Sequence, residues 1–335
     1  MEKRAFHDVD VDGILRIKGK KEYGVSVAVT KGDITETYCS GSARFGKEHP
    51  INTDMIFQAG SVSKPVFAMT LLKFVDKKVI DLDDDLSDVI SDLIKGPVTF
   101  EALLSHSAGL NVHGFPGYRA DSDLLSLEDV LSGRGNTPRI RRIKKYRKEF
   151  CYSGGGITLA ELAFTRITGK TLPEAFDEEI AKPLNLVNSG YFQPLDENRI
   201  SNAAFGGKLG IKENKDKGYH YYPEHAAAGF WTTPTELNRI GIELGISYRK
   251  GGLISKESAK RMMKPVVANC GLCIFRGDDS APELAYHGGW NEGFLTDFRF
   301  SLKDRLCVTA MTNRANMKTA SEMGQVGEEL YKVFK

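Results

Sequence analysis

The segments of this chain that predict β-strands lie near its two ends, and most segments that predict helices lie between them. Residues 24–30 (GVSVAVT) and 34–39 (ITETYC) are separated by a short polar turn and predict a hairpin. Residues 295–302 and 306–312 predict two further strands. From residue 81 to residue 200 helical patterns dominate. We therefore expect one sheet built from both ends of the chain, with a helical insertion between them.

Five segments carry the apolar pattern of helices. Residues 61–78 are apolar on most sides, which predicts a buried helix, and Pro65 suits its first turn, where a backbone N–H has no helical partner. The other predicted helices are residues 157–166, 172–180, 229–244 and 320–334. We expect the last of them to pack on the sheet.

The length of the chain bounds its domain organisation. At 335 residues the chain is longer than one hydrophobic core usually serves, so one large domain or two closely packed subdomains would fit. The pattern of elements predicts a sheet subdomain of residues 1–78 and 205–335 and a helical subdomain of residues 79–204. We expect the two to form one catalytic unit.

Charge and cysteine content narrow the choice of partner and compartment. The formal net charge is only +2, so no strong field favours nucleic acid or a membrane, and we expect a small-molecule or peptide substrate. No apolar run is long enough to span a membrane, and the first ten residues lack the core of a signal peptide. Five cysteines are a sparse, odd set, which predicts no disulfide framework and a cytoplasmic location. A trimmed secreted protein would fit as well, and the oligomeric state is open.

The start of the buried helix carries the spacing S-x-x-K, formed by Ser61 and Lys64. Residues three apart in a helix share a face, so the hydroxyl and the amine can meet. The helix N-terminus favours a developing oxyanion and disfavours an ammonium, and burial lowers the pKa of a lysine further. The motif alone is weak, because a capped surface helix can carry the same residues. An amine at the start of an almost wholly apolar helix, however, needs a partner.

Further segments, in order, resemble the class C β-lactamase-like serine hydrolases, which include penicillin-binding esterases, D-aminopeptidases and D-alanyl carboxypeptidases. The resemblance covers nearly the whole chain and lies in residues 57–65 (FQAGSVSKP), 103–110 (LLSHSAGL), 152–156 (YSGGG), 228–234 (AGFWTTP) and 287–289 (HGG). It implies an α+β fold of the β-lactamase/transpeptidase type, in which helices flank an antiparallel sheet and a helical subdomain is inserted. The site then lies in the cleft between the two parts.

The resemblance also implies roles for individual residues. Ser61 corresponds to the nucleophile, Lys64 to its base, and Tyr152 to the tyrosine that relays protons to the leaving group. His287 begins the third motif, which is a strand along the site. The backbone N–H groups of Ser61 and Trp290 would form the oxyanion hole. Such acyl transfer requires no metal and no organic cofactor.

Two departures from the family pattern bear on the substrate. Gly154 stands where the family often has asparagine, and His287 stands where it usually has lysine. A histidine there is expected to serve as a hydrogen-bond donor or a switchable cation rather than a permanent charge. Efficient β-lactam hydrolysis is therefore not expected, and esters, amides or D-amino-acid peptides are favoured. The further substrate-binding predictions are Gly154, Gly288, Gly289, Phe115 and Tyr118. The stretch 206–224 is a second candidate pocket wall that matches no motif.

Other motifs give little support to other chemistry. Cys270 and Cys273 have C-x-x-C spacing without a second ligand pair, so residues 270–276 are read as a core strand and not as a metal site. No H-E-x-x-H and no G-x-S-x-G is present. Residues 134–148 are densely basic, and we expect a solvated face balanced by the acidic residues 81–88, or a cationic rim for acidic substrates.

Three functions remain open at this stage. The leading one is a serine hydrolase that cleaves esters, amides or D-amino-acid peptides through an acyl-enzyme on Ser61. The second is a β-lactamase or D-alanyl carboxypeptidase of the penicillin-binding type. The third is a sensor that is acylated slowly and never turns over.

Overall fold

A six-stranded antiparallel sheet forms the centre of the fold. The computed structural model describes residues 23–207 and 218–335, and the statements below concern these residues. The sheet has the order β2-β1-β10-β9-β8-β7. Its strands are β1 (Gly24–Lys31), β2 (Ile34–Gly41), β7 (Phe275–Arg276), β8 (Leu284–Asn291), β9 (Phe294–Ser301) and β10 (Leu306–Thr312). Residues 208–217, in the stretch 206–224, and residues 1–22 lie outside the description.

The two ends of the chain meet at the pairing of β1 with β10. Val25 lies opposite Thr312 and Lys31 lies opposite Leu306 in an antiparallel register. Both strands are buried almost throughout, because helices cover both faces of the sheet. One face packs on α9 (Pro234–Lys250), and the other packs on α11 (Met317–Phe334). The expected sheet from both ends of the chain is therefore present.

Most of the regular secondary structure between β2 and β7 is helical. They are α1 (Ser63–Asp76), α2 (Phe100–Leu104), α3 (Leu127–Leu131), α4 (Gly154–Thr168), α5 (Leu172–Phe176), α6 (Lys182–Leu184), α7 (Glu197–Ser201), α8 (His225–Ala228), α9, and α10 (Lys256–Met263). Residues Asp177–Ala181 form a π-helical turn after α5. Short strands β3 (Phe57–Gln58), β4 (Tyr118–Arg119), β5 (His220–Tyr221) and β6 (Trp231–Thr232) pair as β3–β6 and β4–β5. The proposed subdomain boundaries at residues 78 and 205 stay a prediction.

Two predicted elements are wrong in extent. The helix expected over residues 229–244 begins only at Pro234, because Trp231 and Thr232 pair with β3 and the Thr233 hydroxyl caps α9 by accepting from Glu236 N. The strand expected over residues 270–276 is reduced to β7. Cys273 adopts a left-handed conformation (φ 58°), and its N–H donates to Leu104 O at 2.7 Å instead of to a neighbouring strand.

The cysteines and the apolar helices bear on the cellular compartment of the protein. The five cysteines are free thiols in this structure. Among the described residues no helix combines the length and hydropathy that a membrane crossing would need. The cytoplasmic location itself stays a prediction.

The helix that follows the S-x-x-K motif is fixed against α4 by aromatic packing. Phe164 of α4 is fully buried and packs edge-on against Phe67 and Phe74 of α1, with ring centroids 6.0 and 4.9 Å away. Since α4 begins just after Tyr152, this contact sets the spacing between the helices that carry two of the predicted site residues.

We expect Phe164→Ala to lower the free energy of unfolding by about 3–5 kcal/mol, because it removes a buried ring and leaves a cavity. Phe164→Leu, which keeps most of the volume, is the matched control and should cost clearly less. Urea denaturation followed by circular dichroism measures both. Equal unfolding midpoints for the two variants would contradict a role for the ring in joining α1 to α4.

Candidate active site

Ser61 and Lys64 lie together where the chain enters α1. Gly60–Val62 form a single 3₁₀ turn that leads into the helix, so the two side chains share one side of the first turn. Lys64 Nζ donates to Ser61 Oγ at 2.9 Å and to the carbonyl oxygen of Ala227 at 2.7 Å. Ser61 is partly exposed, whereas Lys64 is only 2% exposed. The hydroxyl therefore faces solvent while the amine lies beneath it.

The surroundings of Lys64 favour its neutral form. Burial lowers the pKa of the amine to about 7, and the nearby Cys273 opposes that shift. Burial lowers the pKa of a lysine because the charged form loses its hydration. Near neutral pH a substantial fraction of Lys64 is thus an unprotonated amine, hydrogen-bonded to a hydroxyl whose proton it could accept.

Tyr152 is positioned by hydrogen bonds to the residues on either side of it. Cys151 N donates to His106 O at 2.8 Å, and Ser153 N donates to His106 Nδ1 at 3.2 Å. The Ser153 hydroxyl caps α4 by accepting from Gly156 N at 2.8 Å. The ring of Tyr152 lies 4.3 Å from that of His106, centroid to centroid. His106 is therefore a structural support of Tyr152.

The phenol of Tyr152 has the opposite electrostatic bias from Lys64. Burial raises the pKa of Tyr152 above its ordinary value, and its interaction with the Ser61 hydroxyl acts in the other direction. Lys64 Nζ lies 5.2 Å from the centroid of the Tyr152 ring. Near neutral pH the phenol stays protonated while the amine can be neutral. One group of the pair can accept a proton and the other can give one.

His287 differs from the donor or switchable cation that the sequence predicts. It is 2% exposed on β8, and its Nδ1 donates to Gly288 O at 2.7 Å. Burial lowers the pKa of the imidazole to about 3, and Lys64 adds to the effect. Because Nδ1 carries the proton, Nε2 is an acceptor, and it is buried with no partner among the described residues. The ring is therefore neutral: Nδ1 donates to the backbone, and Nε2 is left as the acceptor nitrogen.

The backbone near Trp290 packs tightly against the turn that carries Ser61. Gly60 has φ +55°, and a Cβ built on it would lie 2.6 Å from Trp290 N. A Cβ on Gly289 would lie 2.0 Å from Ala59 O. Side chains at these two glycines would therefore force β8 away from Ser61. This close approach brings Trp290 N beside the Ser61 turn, as an oxyanion hole requires.

Ser61 opens into a cleft of about 550 Å³. The predicted site residues that line it are Ser61, Phe115, Tyr152, His287, Gly288, Gly289 and Trp290. The other residues that line it are His113, Gly114, Phe275, Leu295, Thr296, Asp297, Ala320, Met323 and Gly324. Most of the predicted residues therefore meet in one place.

Gly154 and Tyr118 do not lie on this cleft. A Cβ on Gly154 would lie 2.9 Å from the Phe115 ring, so Phe115 occupies the space beside this glycine. The Tyr118 hydroxyl accepts from Asn136 N at 3.0 Å. Its ring stacks on Tyr221, with centroids 6.2 Å apart, because β4 pairs with β5. A direct substrate contact is therefore not supported for either residue.

The sequence of this chain matches one protein-family model over nearly its whole length. The family model described as beta-lactamase matches residues 14–330, nearly the whole chain. The chain belongs to the beta-lactamase family. This membership confirms the predicted resemblance, the fold class and the assignment to the serine hydrolases.

This beta-lactamase family chain is similar in sequence to an esterase and a penicillin-binding protein, and similar in fold to a D-amino acid amidase. It is 24% identical to esterase EstB of Burkholderia gladioli over 296 residues, 81% of this chain and 74% of the esterase. It is 23% identical to penicillin-binding protein 4* of Bacillus subtilis (strain 168), with 87% of this chain and 68% of that protein covered. A D-amino acid amidase from Ochrobactrum anthropi SV3, solved with D-phenylalanine, superposes with a TM-score of 0.78 at 20% identity, covering 96% of this chain and 98% of the amidase.

Several parts of the site in this beta-lactamase family chain were not predicted. The Ala227 carbonyl that holds Lys64 is a backbone group, one residue before the segment 228–234 that carried the resemblance. Ala320, Met323 and Gly324 reach the cleft from α11. The apolar pattern of that helix indicates only that it packs on the sheet. Gly324, a glycine in the middle of the helix, is the sequence feature that could have indicated a contact with the cleft.

Three of the eight basic side chains in the run 134–148 form ion pairs among the described residues. Arg134 pairs with Asp129, Lys144 with Glu149 and Arg147 with Glu101. Asp83, from the acidic stretch 81–88, pairs instead with Arg261. The expected balance between the two stretches is not observed, because closer partners are available. Among the described residues, no group of three or more His, Cys, Asp or Glu side chains could hold a metal ion.

We expect kcat/KM for p-nitrophenyl acetate to rise about tenfold per pH unit below pH 7 and to level off above it. The active form requires neutral Lys64, whose pKa is about 7, and burial keeps Tyr152 protonated throughout this range. Initial rates between pH 5 and pH 9 at constant ionic strength measure the profile. A midpoint above pH 9 would contradict Lys64 as the base.

Proposed function

We propose that this chain hydrolyses esters or amides through a covalent acyl-enzyme on Ser61. The observation that carries the proposal is the Ser61 hydroxyl, which opens into a cleft and accepts a 2.9 Å hydrogen bond from a buried amine whose pKa is about 7. Such an amine is a usable base at neutral pH, while an ordinary lysine is not.

In the first half of the reaction Ser61 Oγ attacks the substrate carbonyl carbon, and Lys64 Nζ takes the hydroxyl proton. The carbonyl oxygen gains the negative charge and is stabilised by the N–H groups of Ser61 and Trp290. When the intermediate collapses, the bond to the leaving atom breaks. Tyr152 gives its proton to that atom and is reprotonated from Lys64, so the amine is neutral again.

In the second half water replaces the leaving group. Neutral Lys64 takes a proton from water, directly or through Tyr152, and the hydroxide attacks the acyl carbon. Ser61 Oγ leaves and recovers a proton from Lys64, which releases the carboxylic acid. The groups that acylate the serine thus also regenerate it, and no further group is required.

The substrate class proposed first is an ester or an amide rather than a β-lactam or a D-Ala-D-Ala peptide. A neutral His287 with an acceptor nitrogen offers no charge to a substrate carboxylate. The similarity to an esterase and to a D-amino acid amidase supports this order. The similarity to a penicillin-binding protein keeps carboxypeptidase and β-lactamase activity as the alternative.

We expect Ser61→Ala to lower turnover of p-nitrophenyl acetate and of D-phenylalanine amide by at least 10³-fold, because the nucleophile is removed. Ser91→Ala, which changes an exposed hydroxyl outside the cleft, is the matched control and should keep wild-type rates. Nitrocefin and a D-Ala-D-Ala peptide complete the substrate panel.

Intact-protein mass spectrometry separates the remaining outcomes. Wild type should carry a transient acyl adduct that is absent from Ser61→Ala. A persistent adduct without released product would mean a slowly acylated sensor, and turnover that survives Ser61→Ala would overturn the proposal. Faster turnover of nitrocefin than of esters and amides would favour the β-lactamase alternative.

A further inference from the structure

One end of the cleft is formed by the sheet and the C-terminal helix together. Leu295 of β9 and Ala320, Met323 and Gly324 of α11 line this end, which we call the β9–α11 pocket. Leu295 and Met323 are only 4% and 2% exposed. The walls are therefore aliphatic groups and a thioether, which suit an apolar ligand and adapt to its shape.

Gly324 leaves space in this pocket. A Cβ built on Gly324 would meet no atom within 4 Å, although the residue lies in the middle of α11. Glycine is among the poorest helix formers, so the helix gains nothing from it locally. The missing side chain instead enlarges the cleft at a position where its wall could have been closed.

Charge in the pocket is neutralised. Asp297, the one carboxylate among the described lining residues, receives Arg299 Nε on Oδ1 at 2.7 Å and Arg299 Nη2 on Oδ2 at 3.2 Å. Arg299 Nη2 also donates to Gly324 O at 3.0 Å, so the ion pair is tied to the helix. Thr296 adds an uncharged hydroxyl. A charged substrate group finds no free partner among these side chains.

The path from Ser61 to the pocket is open along β8. Gly288 and Gly289 lie opposite Asp297 and Thr296 in the sheet, and both glycines line the cleft. A Cβ built on Gly288 would meet only Thr296 O, at 3.9 Å, whereas Gly289 is packed against Ala59 O. A group attached to the scissile bond can therefore pass over Gly288 towards α11. The whole cleft, about 550 Å³, is of a size that holds a small organic substrate.

We propose that the β9–α11 pocket binds an extended apolar chain of the substrate and makes chain length the main determinant of its specificity. This inference rests on the proposed acyl-enzyme function of Ser61. The chain can belong to the acyl group or to the leaving group, since both extend from the same carbonyl carbon. The chemistry required of it is the same in either case: uncharged, apolar and several methylenes long.

Two homologous series of substrates test the proposal on the wild-type protein. The first varies the acyl group of p-nitrophenyl esters from acetate to octanoate, and the second varies the alcohol of acetate esters from methyl to octyl. We expect kcat/KM to rise about threefold per methylene in the series whose chain enters the pocket, because each buried methylene adds transfer free energy. The other series should stay nearly flat and so identifies the source of the chain.

Filling the space at Gly324 is the decisive variant. We expect Gly324→Leu to lower the ratio of octyl-chain to two-carbon-chain kcat/KM by at least tenfold in the series that enters the pocket. Gln325→Leu adds the same side chain at the next, exposed position outside the cleft and should keep the wild-type ratio. Gly324→Ala favours the helix and adds only a methyl group, so we expect a smaller loss of the ratio. This variant tests the pocket even when the leucine variant folds poorly.

The outcomes separate this inference from the proposed function. Chain-length dependence that is absent from both series, or equal ratios in Gly324→Leu, Gly324→Ala and Gln325→Leu, would overturn the pocket while the hydrolase stands. Wild-type turnover that persists in Ser61→Ala would instead remove the acyl-enzyme on which the pocket depends.

Discussion

The site depends on the burial of one amine, that of Lys64, which has no acidic side chain among its hydrogen-bond partners. Lys64 is removed from water, and the partners it bonds are two neutral oxygens, the Ser61 hydroxyl and the Ala227 carbonyl. A carboxylate in the same place would hold the lysine protonated and useless as a base. The two neutral acceptors orient the amine. They do not compensate the charged form of Lys64 for its lost hydration, so the pKa of the amine falls to about 7.

The turn that supplies the Ala227 carbonyl ties the motifs together. Ala226 N donates to the buried Glu161 of α4 at 2.8 Å, and Asn291 of β8 donates to Ala228 O at 2.9 Å. The helix that begins after Tyr152 and the strand that carries the third motif therefore hold the same turn. Elements far apart in sequence fix the geometry of Lys64, and a short motif cannot encode it alone.

The features that could be predicted from the sequence depend on the pattern of side chains. The features that could not be predicted depend on backbone hydrogen bonds and strand pairing. The hairpin of β1 and β2 and the buried helix α1 follow from periodicity, and the contact between Ser61 and Lys64 follows from the S-x-x-K spacing. The place of Tyr152 beside Ser61 was implied by the family resemblance. The tautomer of His287 follows from a carbonyl one residue away, and residue type does not reveal it. Tyr118 does not line the cleft, and its ring stacks on Tyr221 where β4 pairs with β5, a contact that the local sequence does not reveal.

The pairing of β1 with β10 has a consequence for how the protein is made. Val25 lies opposite Thr312, so the middle of the sheet closes only when segments separated by almost the whole chain meet. Closing so long a loop is entropically costly, and such non-local contacts slow folding. During synthesis, the edge of β1 that pairs with β10 stays unpaired until β10 has left the ribosome. The last strands to emerge complete the sheet, so the catalytic cleft is among the final features to form.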